Sequence, residues 1–507
     1  MHLIYKKGNG CEYASACSSR RDGGRVLKEG YVYLGKVIDK GAGIYESRDR
    51  GLFTYDPETG EYGRPDMSMV PKAPREGRER LILDFGDAYL VGRFMEESGI
   101  AGVIEEVGCS SPDTFKALVM FMILSDMTAC HAEQWHEGSY ARVMYPRADL
   151  KSQRISDFMA SIGDEYAYRN LFEAYLPLVA REGDADVAID GTGVPNSIHF
   201  PLTAVRNHGG EVRSEVRLIF VVRLGDSMPI YFRYVPGNVL DASTLARTLA
   251  ELRRMGVHAK FAVVDAGYCD MGNMLELYGA GVSFLTRLRT SLSLYREAEE
   301  RLLPGLEAPG NLVRHGDRFL YVSRERREIV GGHTGYVYLV RDMERRAEED
   351  KRSMERAAKG RITQEEMLGE MRTNGLFAMA SSRPIAPESL LASYYARQGI
   401  EQFIDVGKNY TGMKRLGVHS EETFRGLMAL GFLAAATVQA MMNATKARRK
   451  GEKGRGMGIK SMLLDLRNQK CKVFDDAVLP DERQKRANDA YEAFGYKYPL
   501  EIPIKPG

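Results

Sequence analysis

Tyr394, Arg397, Glu401 and Lys408 follow a proline at 387, a residue that suits a helix start. On a helix of about 3.6 residues per turn they fall at roughly 0°, −60°, −20° and −40°, inside one stripe about 60° wide. A phenol, a guanidinium, a carboxylate and an ammonium on one face can hold a metal ion and phosphate groups. The same residues also make an ordinary solvated helix face with a Glu–Arg pair. The helix alone does not choose between these.

Two further acids, Asp190 and Asp265, close the apolar runs Asp186-Val187-Ala188-Ile189 and Lys260-Phe261-Ala262-Val263-Val264. Strand ends are where open α/β sheets place their sites. A carboxylate there is costly to desolvate without a cation, and two on neighbouring strands repel unless a divalent ion lies between them. The donor type favours Mg2+ or Mn2+. With Glu401 as a third carboxylate the set suits two ions, one activating a water or a 3′-hydroxyl and the other stabilising a leaving oxygen. Each acid alone is an ordinary turn or cap residue. Three in strand, strand, helix order are much rarer.

The elements that must position these residues are legible from 186 onward. Strands are expected at 186–190, 216–224, 229–235, 260–265 and 282–287, with helices at 241–255 and 272–278 and a hairpin turn at Gly225-Asp226-Ser227. That order gives an α/β fold, a mixed sheet with helices on its faces. Residues 291–375 interrupt it with strands at 318–323 and 336–341 about the turn Gly331-Gly332-His333, then one highly charged helix from Met343 to Arg372. Strand texture returns at 376–380, followed by the helix at 387–409 and an apolar helix at 426–442. The last is short for a bilayer and contains Thr437 and Gln439, so we read it as a buried helix and expect no membrane contact. Residues 1–80 read as a small β-rich region closed by a linker at 71–77, 81–180 as mainly helical, and 446–507 as a basic linker and a short helical tail.

A net charge of +2 over 507 residues does not announce a nucleic-acid binder, so local charge must carry any such role. Lys151 and Arg154 stand before an apolar run at 155–162 and suit a helix entering a DNA groove as well as they suit a capped surface helix. Six cysteines with no CxxC pair give neither a zinc ribbon nor a disulfide framework, and free thiols fit a reducing cytoplasm.

Asp190-Gly191-Thr192, Asp265-Ala266-Gly267-Tyr268 and Tyr394-x2-Arg397-x3-Glu401-x6-Lys408 together resemble the DDE transposases of bacterial and archaeal insertion sequences, in the group with a Tyr-Arg-Glu-Lys signature. The last motif matches at every spacing. Pro236-Gly237-Asn238-Val239-Leu240-Asp241 and Asn374-Gly375-Leu376-Phe377 are similar to two further blocks of the group, although Asp-Gly is the commoner form of the second. The likeness covers roughly 185–445. It implies an RNase H-like core in two parts, 181–290 and 376–445, interrupted by a β-rich insertion domain at 291–375, with 81–180 as a helical DNA-binding region. It also implies Asp190, Asp265 and Glu401 as the catalytic, metal-binding triad, and Tyr394, Arg397 and Lys408 on phosphates of the element's end. The implied activity is cleavage of insertion-sequence ends and strand transfer into target DNA with two Mg2+ (or Mn2+) ions. The implied partners are double-stranded DNA, as terminal inverted repeats and target, and a second copy in a homodimer associated with the nucleoid. Well-understood members stack a flipped base on a tryptophan of the insertion. This chain has none between 291 and 375, where Phe319, Tyr321, Tyr336 and Tyr338 are the aromatics on offer. The alternative is a catalytically inactive or repurposed DNA-binding descendant, against which stands the presence of all three acids.

Overall fold

The computed structural model describes residues 1–8, 11–22, 25–65, 81–180, 184–196, 200–208, 211–409, 418–448, 458–482 and 484–504. The linker at 71–77 and residues 449–457 of the basic segment lie outside them. The chain divides into two units, Met1–Glu79 and Arg80–Gly507.

In the first unit six strands, His2–Gly8, Cys11–Asp22, Arg25–Asp39, Ile44–Ser47, Gly51–Tyr55 and Tyr62–Gly63, pair antiparallel in chain order. Alternation puts Ala14, Ala16, Leu34, Tyr45, Phe53 and Tyr55 into one small core.

The second unit is built on a ten-stranded mixed sheet. Its order is Pro229–Pro236, Glu211–Arg223, Asp184–Pro195, His258–Val264, Ser283–Arg287, Leu376–Ser381, His333–Asp342, Arg318–Val330 and Leu312–His315, with Ala204–His208 hydrogen-bonded to Glu211–Arg223. The centre, Asp184–Pro195 with His258–Val264 and then Ser283–Arg287, is parallel. Those strands carry Val187, Ala188, Ile189, Ala262, Val263 and Val264 with essentially no exposure, as parallel strands covered on both faces require. Both flanks are antiparallel.

The segment 291–375 is not a separate sheet. Its strand His333–Asp342 pairs directly with Leu376–Ser381, from Tyr336 opposite Ser381 to Arg341 opposite Leu376, so the core sheet continues into it. The charged stretch expected as one helix is two, Met343–Ala358 and Gln364–Thr373. Gly360 between them has φ +65°, and Thr363 opens the second with a capping box to Glu366.

Residues before the sheet form seven α-helices and a short 3-10 turn between Gly86 and Val179. They pack through the 28-residue helix Glu421–Arg448, which is long and apolar enough to cross a membrane but has 78% of its apolar stretch buried inside the protein. Phe432 on this helix meets Phe172 and Tyr175 of the helical layer, Phe232 of the sheet and Phe403 of the helix Gln398–Asn409. One aromatic cluster therefore joins three layers.

The tail departs from expectation. Besides the helices Ile459–Arg467 and Lys485–Ala493 it contains strands Lys470–Val473, Ala477–Pro480 and Ile502–Pro503, which form a four-stranded sheet with Leu81–Asp84. Lys470–Val473 and Ala477–Pro480 form a short local hairpin, whereas the partner Leu81–Asp84 lies at the opposite end of the unit, so no local pattern marks that pairing.

The helix Glu421–Arg448 crosses Ser152–Ile162 at backbone distance. A Cβ at Gly426 would stand 1.9 Å from the Met159 carbonyl oxygen. Gly426→Ala is expected to force the helices apart and lower stability by about 1–3 kcal/mol. An unaltered midpoint in denaturant unfolding would contradict that packing.

Candidate active site

The expected strand-ending position of Asp190 needs correction. The strand runs on to Pro195, paired on one side with Glu211–Arg223, where Phe220 stands opposite Asp190. Only the parallel partner stops, its last pair being Val264 with Ile189. Asp190 thus lies where one neighbouring strand ends and the other continues, and Asp265 directly follows the strand that ends. Cross-strand partners share a face. On the Asp190 face, Phe220 packs against Phe403 at 5.3 Å, which seats the helix Gln398–Asn409 over the strand.

The helix expected at 387–409 is also broken. It consists of Pro387–Tyr395 and Gln398–Asn409, with Ala396 and Arg397 in a turn closed by the tight bonds Arg397 N–H to Tyr394 O and Ile400 N–H to Arg397 O. A Cβ at Gly399 would lie 1.8 Å from Ser227 Oγ, so the second helix begins against the hairpin turn at 225–227. The single-stripe geometry is lost, but the break turns Arg397 into the space between the acids. Its Nη1 lies 3.5 Å from Asp190 Oδ2, and its Nη2 lies 3.6 Å from Asp265 Oδ1 and 2.9 Å from Glu401 Oε1. The guanidinium is 15% exposed, against 20%, 40% and 53% for the three carboxylates, so the site grades from core to solvent in the order Asp190, Asp265, Glu401.

Burial pushes the Asp190 carboxyl up to about 6. The Arg397 charge and the Gly191 N–H, 2.8 Å away, oppose that rise, while Asp265 and Asp241 add to it. Tyr394 is buried and donates its hydroxyl to Asp265 Oδ1 at 3.1 Å. Burial, offset by Arg397 and reinforced by Asp265, pushes its phenol up to about 12, so it stays a neutral donor. Arg397 also lies 5.3 Å from the Tyr394 ring centre. The neighbouring Tyr395 accepts from Arg318 at 3.2 Å instead. Lys408 Nζ donates to Thr192 Oγ1 and, at 2.9 Å, to Gly193 O, tying the far end of the helix to the Asp190 strand. Lys151 and Arg154 are not brought to this place. Arg154 lies 4.0 Å from Asp149 beside a cleft of about 740 Å3 whose walls include Glu105, Asp113, Asp149 and Asp157.

Among the described residues no three His, Cys, Asp or Glu side chains form a ready metal-binding group. The donor types nonetheless fit a hard divalent ion: three carboxylates converge on one cation, and that cation is a guanidinium.

Residues that the sequence reading did not single out support the site from two sides. On the opposite face of the Asp190 strand, Arg217 ion-pairs Asp241 and lies 3.9 Å from Glu215, and Arg206 lies 4.0 Å from Glu215 and 3.9 Å from Asp241. A Cβ at Gly191 would meet Asp241 Oδ1 at 2.7 Å and Arg217 Nε at 3.2 Å, so the residue after Asp190 must be glycine for this cluster to close. The available signal was an arginine inside the apolar strand at 216–224, which needs a buried partner. Beside Asp265 a cavity of about 190 Å3 is lined by Arg287, Arg318 and Arg345 as well as Tyr394, Tyr395 and Arg397. Two of these arginines come from the insertion. Of the aromatics expected to be available there, Phe319 is 49% exposed, while Tyr338 is core and donates to Ile385 O.

Residues 181–436, half of the chain, match the family described as "Transposase DDE domain". The protein belongs to that family. It is a DDE transposase, an enzyme of DNA transposition and recombination, and its family depends on divalent metal. Among solved structures it is similar to a piggyBac transposase synaptic complex with hairpin DNA, with TM-score 0.38 and 12% identity over 75% of this chain and 79% of that one. No curated protein matches it in sequence.

The charge cluster behind Gly191 is expected to be a stability element. Arg217→Met removes the nearer of the two cations that Asp241 and Glu215 share and should cost about 3–5 kcal/mol. Equilibrium urea unfolding measures it, and a loss below about 1 kcal/mol would show that Arg206 alone suffices.

Proposed function

We propose that this transposase belongs to the insertion-sequence group with the Tyr-Arg-Glu-Lys signature, and that it cleaves the ends of its element and joins them to target DNA. The observation that carries this reading is the meeting of Asp190, Asp265 and Glu401 on Arg397, three carboxylates within 3.6 Å of one guanidinium. An inactive or repurposed descendant has no need to hold three like charges together. In this reading 181–290 and 376–445 are an RNase H-like core, 291–375 its insertion, 81–180 a DNA-binding region in which Lys151 and Arg154 contact the backbone, and the active complex is a homodimer on paired ends.

Asp190, Asp265 and Glu401 are the groups that would hold divalent metal, Mg2+ or Mn2+ in two ions, which supplies Lewis acidity to the scissile phosphate and an activated water or 3′-hydroxyl. Tyr394 fixes the rotamer of Asp265 through its hydroxyl. Arg397 compensates the acids in the free protein and, once they are otherwise neutralised, forks onto a phosphate of the element's end. Lys408 braces the strand two residues past Asp190 and trades the Gly193 carbonyl for a phosphate oxygen when DNA is bound.

Glu401→Gln is expected to abolish cleavage of the element's end with Mg2+ while end binding persists. Cleavage retained in that variant would remove Glu401 from the triad. For Arg397→Ala, end binding should weaken and the slope of log K against log salt should fall by about 0.9, one phosphate contact. A slope equal to the parent's would exclude a phosphate role.

A further inference from the structure

The second and third strands of the Met1–Glu79 unit are longer than the sheet they belong to. His2–Gly8 pairs with Cys11–Cys17 only, and Ile44–Ser47 with the far end of the third strand, Lys36–Asp39. Beyond these, Ser18–Asp22 pairs with Arg25–Glu29 alone, so among the described residues the two stretches form a ribbon with both edges open. Its described side chains are all exposed, including Val26 at 57% and Leu27 at 46%. Five residue pairs at about 3.4 Å each extend roughly 17 Å.

Such a ribbon has no core of its own and is marginal in isolation. Its charge is one-sided. Residues 18–29 hold four Lys or Arg against two Asp or Glu, a net charge as large as that of the whole chain. Among the described residues Arg20, Arg21 and Lys28 meet no carboxylate. Strand alternation puts Arg21 and Lys28 on one face, which carries no acid, and Arg20 with Leu27, Asp22 and Glu29 on the other.

We propose that this ribbon is a DNA-binding arm that lies in the major groove of a duplex, with Arg20, Arg21 and Lys28 on its phosphates. The groove is about 12 Å wide and about 8.5 Å deep and admits a two-stranded ribbon, and an arm of roughly 17 Å reaches its floor. Charge complementarity selects DNA over a second copy of this chain, whose ribbon would carry the same charge.

The test is fluorescence anisotropy of the full chain with a labelled duplex of mixed sequence, over a salt series, for the parent, Arg20→Ala/Arg21→Ala/Lys28→Ala, and Arg20→Lys/Arg21→Lys/Lys28→Arg. The alanine variant should bind at least about tenfold more weakly, with the salt slope smaller by about 2.7. The charge-conserving variant should keep the parent's slope, and both should unfold at the parent's temperature. Unchanged affinity and slope in the alanine variant would overturn the arm while leaving the transposase reading intact, whereas a parent that binds no duplex at any salt would overturn both. A sedimentation shift in the alanine variant without a slope change would assign the ribbon to self-association and also overturn the proposal.

Discussion

Carboxylates held a few ångströms apart on a half-buried surface repel one another, and the repulsion grows as water is withdrawn. Arg397 is what makes this arrangement tolerable in the free protein. The guanidinium is planar and reaches three acids from one position, which a point ammonium could not do as well. The local structure follows from that requirement. The helix must break at Ala396–Arg397 so that the side chain points between the strands, and the second helix must start hard against the Gly225–Ser227 turn. Phe403 must pack on Phe220 to hold the assembly over Asp190. A bare cluster of acids would spread apart, whereas this one is pre-formed around a cation.

The opposite face of the same strand applies the same physics with a different outcome. Arg206 and Arg217 balance Glu215 and Asp241 almost out of water, with Arg217 and Glu215 under 10% exposed. A buried cluster of paired charges of this kind is costly to disturb and fixes position. Asp190 is thereby set between a closed ion cluster behind Gly191 and an open one before Arg397.

Much of this was readable from residues whose signals are local. An apolar run followed by an acid marked Asp190 and Asp265, and Gly225-Asp226-Ser227 marked its hairpin. The stripe from Tyr394 to Glu401 is lost at the helix break, yet Tyr394 and Arg397 still meet at Asp265 and Arg397 still meets Glu401. What could not be read depends on distant partners. The start of the second helix packs against Ser227, far away in the chain. The strand Leu81–Asp84 is completed by Lys470–Val473, and Lys470 bonds Asp84 across 386 positions. The insertion looked separable because its sequence texture changes. Its continuity with the core sheet rests on Tyr336 pairing with Ser381, which no composition announces.

The pairing of Leu81–Asp84 with Lys470–Val473 also sets an order in time. A chain emerging from the ribosome makes Leu81–Asp84 long before Lys470–Val473 exists, and closing so long a loop is entropically late. The helical layer between Gly86 and Val179 must wait for Glu421–Arg448 to bury its apolar side and for the tail to close its edge. The site-bearing unit therefore gains this closure only after residues 470–473 have been made, and a chain that stops after Glu401 lacks it even though all three acids are present.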